Sequence, residues 1–135
     1  PHEAARLEGL RLDMNQFKLP TTDNNLVVEG AGGVLVPINE GALMIDLIDQ
    51  LDLPVVVVAR SGLGTINHTL LTLEALRARN LELLGVIVSG PANSANIEAI
   101  RTYGKIKILL ELEPISPLDS AGIDIAAKNL ESEFS

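Results

Sequence analysis

The chain has 135 residues, a length that predicts one domain over residues 1–135. Ten Lys and Arg residues against eighteen Asp and Glu residues give a net charge of −8, which argues against a nucleic-acid partner. Cysteine is absent and no apolar run approaches the roughly 20 residues that a membrane helix needs, so we expect a cytoplasmic protein without thiol chemistry or a membrane span.

Short aliphatic runs alternate with helical patterns along the chain. The runs lack two-residue alternation, which is typical of strands covered on both faces. They predict strands over residues 26–28, 54–59, 83–88 and 106–110, and the patterns between them predict helices over residues 43–51, 66–76 and 97–103. Weaker helical patterns occupy residues 1–19, where Gly9 interrupts, and the tail after Pro117, with Ile123, Ala126, Ala127 and Leu130. This order predicts an α/β fold, a parallel sheet with helices on both faces.

A sheet of four strands is thin for this fold class. The sequence also begins at Pro1 rather than at methionine. We therefore expect further strands upstream, so that the domain is incomplete at its N-terminus.

The first segment that could bind a ligand follows the first predicted strand. There Glu29 precedes a glycine-rich loop over residues 30–33. Ligands of open α/β folds bind at the carboxyl edge of the sheet. A carboxylate there can hold Mg²⁺, and glycines let backbone N–H groups approach phosphate oxygens. A solvated glutamate followed by a simple turn explains the segment equally well. The glycines do not form the dinucleotide-binding pattern Gly-x-Gly-x-x-Gly.

The second segment joins the all-valine strand to the longest helical pattern. Gly62 and Gly64 allow a tight turn, and Thr65 is the predicted N-cap. A helix start offers free N–H groups and the positive end of the helix dipole, which suits a carboxylate or a phosphate. An ordinary capped loop without a ligand is the simpler interpretation of these residues alone.

The third segment, residues 89–93, follows the strand over residues 83–88, where polar groups could contact a base edge or form only a turn. The 135 residues contain no phosphate-loop motif, no nucleophile elbow and no His-Glu-x-x-His pair. Asp46 and Asp49 lie among leucines and are interpreted as the solvated face of a helix.

Three segments match, in order, the pattern of one family. They read Pro-His-Glu-Ala-Ala at residues 1–5, Val-Glu-Gly-Ala-Gly-Gly-Val-Leu-Val-Pro at residues 28–37, and Arg-Ser-Gly-Leu-Gly-Thr-Ile-Asn-His-Thr-Leu-Leu-Thr at residues 60–72. With them the chain resembles the C-terminal part of the dethiobiotin synthetase family. The third segment is the most specific, and the similarity extends from Pro1 to about Gly90.

The resemblance implies a Rossmann-like, phosphate-loop nucleotide-binding fold that works as a homodimer with ATP and Mg²⁺. The implied reaction joins CO₂ to 7,8-diaminononanoate as a carbamate, which attacks the γ-phosphate of ATP before the ureido ring of dethiobiotin closes. The family's phosphate loop, catalytic lysines and second acidic magnesium ligand have no counterpart in residues 1–135. We therefore expect no catalytic residue in this chain and no activity from it alone.

The resemblance also assigns roles residue by residue. Glu29 is the implied magnesium ligand, and the implied substrate-carboxylate site lies across the dimer interface at the helix start. Ser89 stands where the family has an asparagine that contacts adenine. The implied nucleotide-binding residues are Glu29, Gly30, Ala31, Gly32, Ser89, Pro114, Ile115 and Ser116, and the implied substrate-binding residues are Gly32, Gly33, Gly64, Thr65, Ile66 and Asn67.

Two other functions remain open at this point. A related amidoligase of the same nucleotide-binding class would share the strand-Glu-Gly pattern, and a non-catalytic dimerisation or regulatory module would lack a phosphate loop. The Gly-Thr-Ile-Asn-His stretch at residues 64–68 favours the synthetase over the amidoligase, and a phosphate-loop motif before Pro1 would distinguish the synthetase from the module.

Overall fold

The computed structural model describes the backbone of residues 1–134 and the side-chain environment of residues 1–128. The elements in chain order are α1 (His2–Leu7), a short 3-10 helix (Met14–Gln16), α2 (Met44–Leu51), β1 (Val55–Arg60), α3 (Thr65–Ala78), β2 (Leu83–Ser89), α4 (Ser94–Gly104), β3 (Ile108–Leu112) and α5 (Ser120–Phe134). From residue 43 to residue 134, the observed strands and helices follow one another in the predicted order. The α/β fold class is confirmed.

The sheet is parallel, with β2 at its centre in the order β1-β2-β3. Val57 is paired with Val86 across β1 and β2, and Val88 with Glu111 across β2 and β3. Because all three strands run in the same direction, their carboxyl ends meet at one edge. The loops after Arg60, Ser89 and Leu112 therefore lie side by side.

The core lies on the face of the sheet that α3 and α4 cover. Leu73, Leu76 and Ile100 from these helices are at most 1 % exposed, and they pack against Val86 in β2. Ile45 of α2 joins the same cluster. Burying each of these large aliphatic side chains contributes about 1.5–3 kcal/mol. On the opposite face Val56, Val58 and Leu84 remain exposed.

The predicted strand over residues 26–28 is wrong for the described structure. Val27 is 91 % exposed, and the segment forms no ladder with β1, whose one partner among the described residues is β2. Strand pairing needs a neighbour with free backbone groups in register, and an apolar run does not by itself supply one. The described sheet consequently has three strands instead of the four predicted.

The predicted helix over residues 1–19 is also largely wrong, because it ends after α1. Gly9 has a positive φ of 67°, and the N–H groups of Gly9 and Leu10 donate to the carbonyls of Arg6 and Ala5. This arrangement is the Schellman motif, in which a left-handed glycine ends a helix. The tail helix is confirmed as α5, although the side chain of Leu130 lies outside the described residues.

Candidate functional site at the carboxyl edge of the sheet

Three loop regions are hydrogen-bonded to one another at the carboxyl edge. The Ser61 N–H donates to the Ser89 carbonyl at 3.0 Å, and the Gly90 N–H donates to the Leu112 carbonyl at 2.9 Å. The side-chain amide of Asn96 donates to the Ser61 carbonyl at 2.9 Å. These bonds extend the β1-β2-β3 order beyond the strands and fix the loops relative to the sheet.

The start of α3 differs in one respect from the sequence prediction. Gly64, not Thr65, is the N-cap, with a φ of 87° and no side-chain cap. Thr65 is the first helical residue and is 2 % exposed, with its hydroxyl 3.5 Å from that of Thr69 inside the molecule. The N-cap prediction for Thr65 is therefore wrong, because the side chain is buried and turned away from the helix end.

The backbone of this helix start still offers donors. The Thr65 N–H donates to the Gly62 carbonyl at 3.2 Å. The first helical hydrogen bond runs from the His68 N–H to the Gly64 carbonyl at 3.1 Å. By helix geometry the N–H groups of Ile66 and Asn67 have no carbonyl one turn earlier within the helix. Asn67 is also exposed, so its amide side chain lies next to these donors.

The glycine-rich loop lies apart from a strand end. Gly30 lies over Met44, whose sulfur is 3.1 Å from the position that a Cβ would take. The carbonyls of Val34 and Val36 accept from the N–H groups of Ile45 and Met44, each at 2.8 Å. The loop is thus attached to the start of α2, while residues 29–33 are exposed to solvent.

Glu29 therefore does not end a strand of the described sheet, contrary to the sequence prediction. Its exposed carboxylate is a chemically suitable magnesium ligand, because Mg²⁺ usually takes one or two carboxylates and fills its shell with water and phosphate oxygens. Among the described residues no group of three or more His, Cys, Asp or Glu side chains could hold a metal ion. A magnesium ion at Glu29 would thus depend on phosphate and water oxygens.

The predicted base-contacting residues lie at the edge where β2 and β3 end. Ser89 is the last residue of β2 and is half-buried. Pro114, Ile115 and Ser116 follow β3, and the Ile115 Cγ2 is 3.2 Å from the position of a Cβ on Gly122 of α5. The structure thus brings Ser89 and residues 114–116 to the same edge as the α3 start.

Sequence reasoning missed a cavity of about 240 Å³ at this edge. Its polar lining comes from Ser61, Glu111 and Glu113, none of which was singled out as a site residue. The available signal was the spacing of Glu111, in β3, and Glu113, directly after the end of β3, because alternate residues of an extended segment share a face. The cavity is lined by Ser61, Val88, Gly90, Pro91, Ala92, Ile97, Glu111 and Glu113.

Comparison with known proteins identifies the family. The profile of the family described as "AAA domain" matches residues 1–121. The chain belongs to this family. The phosphate-loop NTPase-like fold class that the resemblance implied is therefore confirmed.

Relatives with curated names are similar over most of the chain. The ATP-dependent dethiobiotin synthetase BioD of Paramagnetospirillum magneticum is 58 % identical over 123 residues, which are 91 % of this chain and 60 % of that protein. The biotin biosynthesis bifunctional protein BioCD of Bordetella avium is 54 % identical over 130 residues, 96 % of this chain and 28 % of that protein. The BioD of Lawsonia intracellularis is 51 % identical over 118 residues, 87 % of this chain and 58 % of that protein.

These matches confirm the resemblance to dethiobiotin synthetases. The chain spans 60 %, 28 % and 58 % of the three relatives' lengths. Within the described residues, no helix is both long enough and apolar enough to cross a membrane.

Proposed function

We propose that this chain is the part of an ATP-dependent dethiobiotin synthetase that contributes the substrate-carboxylate site and the base side of the nucleotide site. The proposed reaction joins CO₂ to 7,8-diaminononanoate and closes the ureido ring, with ADP and phosphate as products. The observation that carries the proposal is the Gly64-capped start of α3, whose sequence is the most specific part of the resemblance. The names of the relatives support the synthetase over an amidoligase or a non-catalytic module.

The substrate's chemistry suits the α3 start. Its two amines enter the reaction, while its carboxylate lies at the far end of an aliphatic chain and serves only for binding. The N–H groups of Ile66 and Asn67, together with the positive end of a 14-residue helix, form an anion site worth roughly 0.3–1 kcal/mol for one exposed charge. The hydroxyl of Thr65 is buried against Thr69 and does not face the anion site. Thr65 therefore contributes to this turn through its backbone alone. The proposal places the site at the interface of a cytoplasmic homodimer.

The test compares substrate and ester in the complete protein. Asn67→Ala should raise the KM for the diamino acid and leave the KM for ATP unchanged, because the nucleotide binds elsewhere. A methyl ester of the substrate should bind less well to the wild type but lose little further affinity in the variant. Equal losses for acid and ester, with a lower melting temperature, would assign Asn67 to helix stability and contradict the carboxylate site.

Glu29 is proposed to supply one carboxylate oxygen to Mg²⁺ at the phosphates. The ion, when bound, neutralises negative charge on the phosphate oxygens. Glu29→Gln in the complete protein should weaken the use of magnesium–ATP by a factor of roughly 10–1,000, the scale of one lost electrostatic contact. Glu40→Gln changes another exposed carboxylate in the following loop and is the matched control. Normal turnover of Glu29→Gln at limiting magnesium would contradict the assignment.

A further inference from the structure

The glycine-rich loop contacts α2 through Gly30. A Cβ at Gly30 would lie 3.1 Å from the Met44 sulfur, and its three nearest atoms all belong to Met44. At Gly32 the corresponding atoms all belong to Val36, which follows in the same segment, and at Gly33 a Cβ would meet open space. Gly30 is therefore the glycine that connects this loop to the helix.

The missing side chain of Gly30 serves this contact rather than the backbone conformation. Gly30 is not one of the glycines with a positive φ, whereas Gly32 has a φ of 81°. A Cβ at 3.1 Å from the sulfur of Met44 would be tighter than ordinary van der Waals contact. Glycine at this position thus lets the backbone of the loop lie directly on the thioether.

Met44 is held in place on the side of the helix. It is the first residue of α2, and its N–H donates to the Val36 carbonyl at 2.8 Å. Its side chain is 5 % exposed, although Met44 is not part of the described apolar cluster that contains Ile45 and Val86. The contact with the loop is consequently local and separate from the main core. An unbranched, flexible thioether fills an irregular space of this kind well.

Glu29, the proposed magnesium ligand, depends on its neighbour for its position. It is exposed, its carboxylate forms no ion pair with a described residue, and its backbone groups take part in none of the loop hydrogen bonds. Its Cα is about 3.8 Å from that of Gly30, so a displacement of Gly30 moves the Glu29 backbone with it. Mg²⁺ requires a nearly ideal octahedral shell with ligands at about 2.0–2.1 Å, which makes its affinity sensitive to such a displacement.

We propose that Met44 is a positioning residue for magnesium binding: its thioether supports the backbone of Gly30 and so fixes the place from which Glu29 reaches the ion. This inference rests on the proposed role of Glu29 and extends it to a residue of α2 that acts through the loop. Truncation of Met44 removes the support, whereas an aliphatic side chain of similar volume keeps it.

The first experiment measures, in the complete protein at saturating ATP, the Mg²⁺ concentration that gives half-maximal turnover. Met44→Ala should raise this concentration about 10–100-fold, the usual effect of removing a residue that supports a metal ligand. Met44→Leu should give a value close to that of the wild type, and the KM for the diamino acid should be unchanged in both variants. Met14→Ala is the matched control, because Met14 is the other methionine of the sequence and lies in the 3-10 helix.

A double-mutant cycle separates the support of Glu29 from a general loss of structure. Met44→Ala added to Glu29→Gln should have little further effect on the Mg²⁺ requirement, because the effects of residues that act through one another are not additive. Full additivity, or an equal effect of Met14→Ala, would overturn the role of Met44 and leave Glu29 as the ligand. An unchanged Mg²⁺ requirement in Glu29→Gln would contradict the proposed function of Glu29, and with it this inference.

A second readout does not use activity. With ¹³C-labelled methionine methyl groups, the Met44 resonance of the wild type is assigned by its loss in Met44→Leu. It should shift when Mg²⁺ is added to the protein saturated with a non-hydrolysable ATP analogue, because the loop lies on the thioether, and the Met14 resonance should not. The Met44 shift should be smaller in Glu29→Gln. A Met44 resonance that does not respond to Mg²⁺ would overturn the proposal even where Met44→Ala fails to fold.

Discussion

The start of α2 allows a quantitative prediction about Asp46. Its carboxylate accepts from the Leu43 N–H at 2.7 Å, and the same carboxylate pairs with Arg79, which follows α3. Removing a side-chain cap of this kind costs about 0.5–2 kcal/mol of stability. Asp46→Ala in the complete protein should therefore lower the free energy of unfolding by about that amount at neutral pH. Urea denaturation followed by circular dichroism measures it.

The pH dependence of this loss has a definite sign. The Leu43 N–H, and after it the Arg79 side chain, hold the pKa of Asp46 below its ordinary value. The stabilisation is therefore fully present above the carboxyl group's unfolded pKa of about 3.9, and it disappears as the pH falls through the lower folded pKa. The stabilities of wild type and Asp46→Ala should converge in acid.

Asp49→Ala is the matched control, because Asp49 lies on the same helix, is exposed, and its side chain makes no hydrogen bond to a described residue. It should change the stability by less than about 0.5 kcal/mol. Equal losses in both variants, or a loss in Asp46→Ala that is the same at pH 7 and in acid, would refute the capping role.

Three further predictions concern the other loops and use the complete protein. Gly64→Ala should cost about 1–2 kcal/mol in thermal unfolding because of the positive φ, whereas Gly62→Ala, where a Cβ meets open space, should cost much less. Arg77→Gln should lower the melting temperature, because the guanidinium donates to the carbonyls of Gly104 and Lys105 at the end of α4; an unchanged melting temperature would contradict this role. Gly90→Ala should lower the melting temperature, because Gly90 has a φ of 133° and a Cβ there would collide with the Ser61 Oγ; an unchanged melting temperature would contradict this close approach.

The part of the fold from α2 to β3 was predictable because each strand is a continuous apolar run and each helix has its own periodic pattern. The strand over residues 26–28 was not, although Val27 and Val28 are as apolar as the valines of β1. What distinguishes the two segments is pairing: β1 lies beside β2, whereas residues 26–28 have no partner strand among the described residues. Pairing is a property of the assembled sheet and leaves no local mark in the sequence.

The candidate site, too, was predictable from the sequence only in part. The Gly64 turn was predictable from its glycines, but the roles of neighbours were not, since only the structure shows that Thr65 is turned inward against Thr69. Ser61 was not connected with Glu111 and Glu113 because it lies 50 residues before Glu111 along the chain. They meet because β1 and β3 flank β2 and end at one edge.

The strand order also arranges charge along that edge. The positive end of α3 follows β1, and the carboxylates of Glu111 and Glu113 lie at the end of β3. Because β2 lies between β1 and β3, about 10 Å separate the α3 start, which attracts anions, from the end of β3, which attracts N–H donors. An anionic group is therefore attracted to the α3 start and repelled by the two carboxylates.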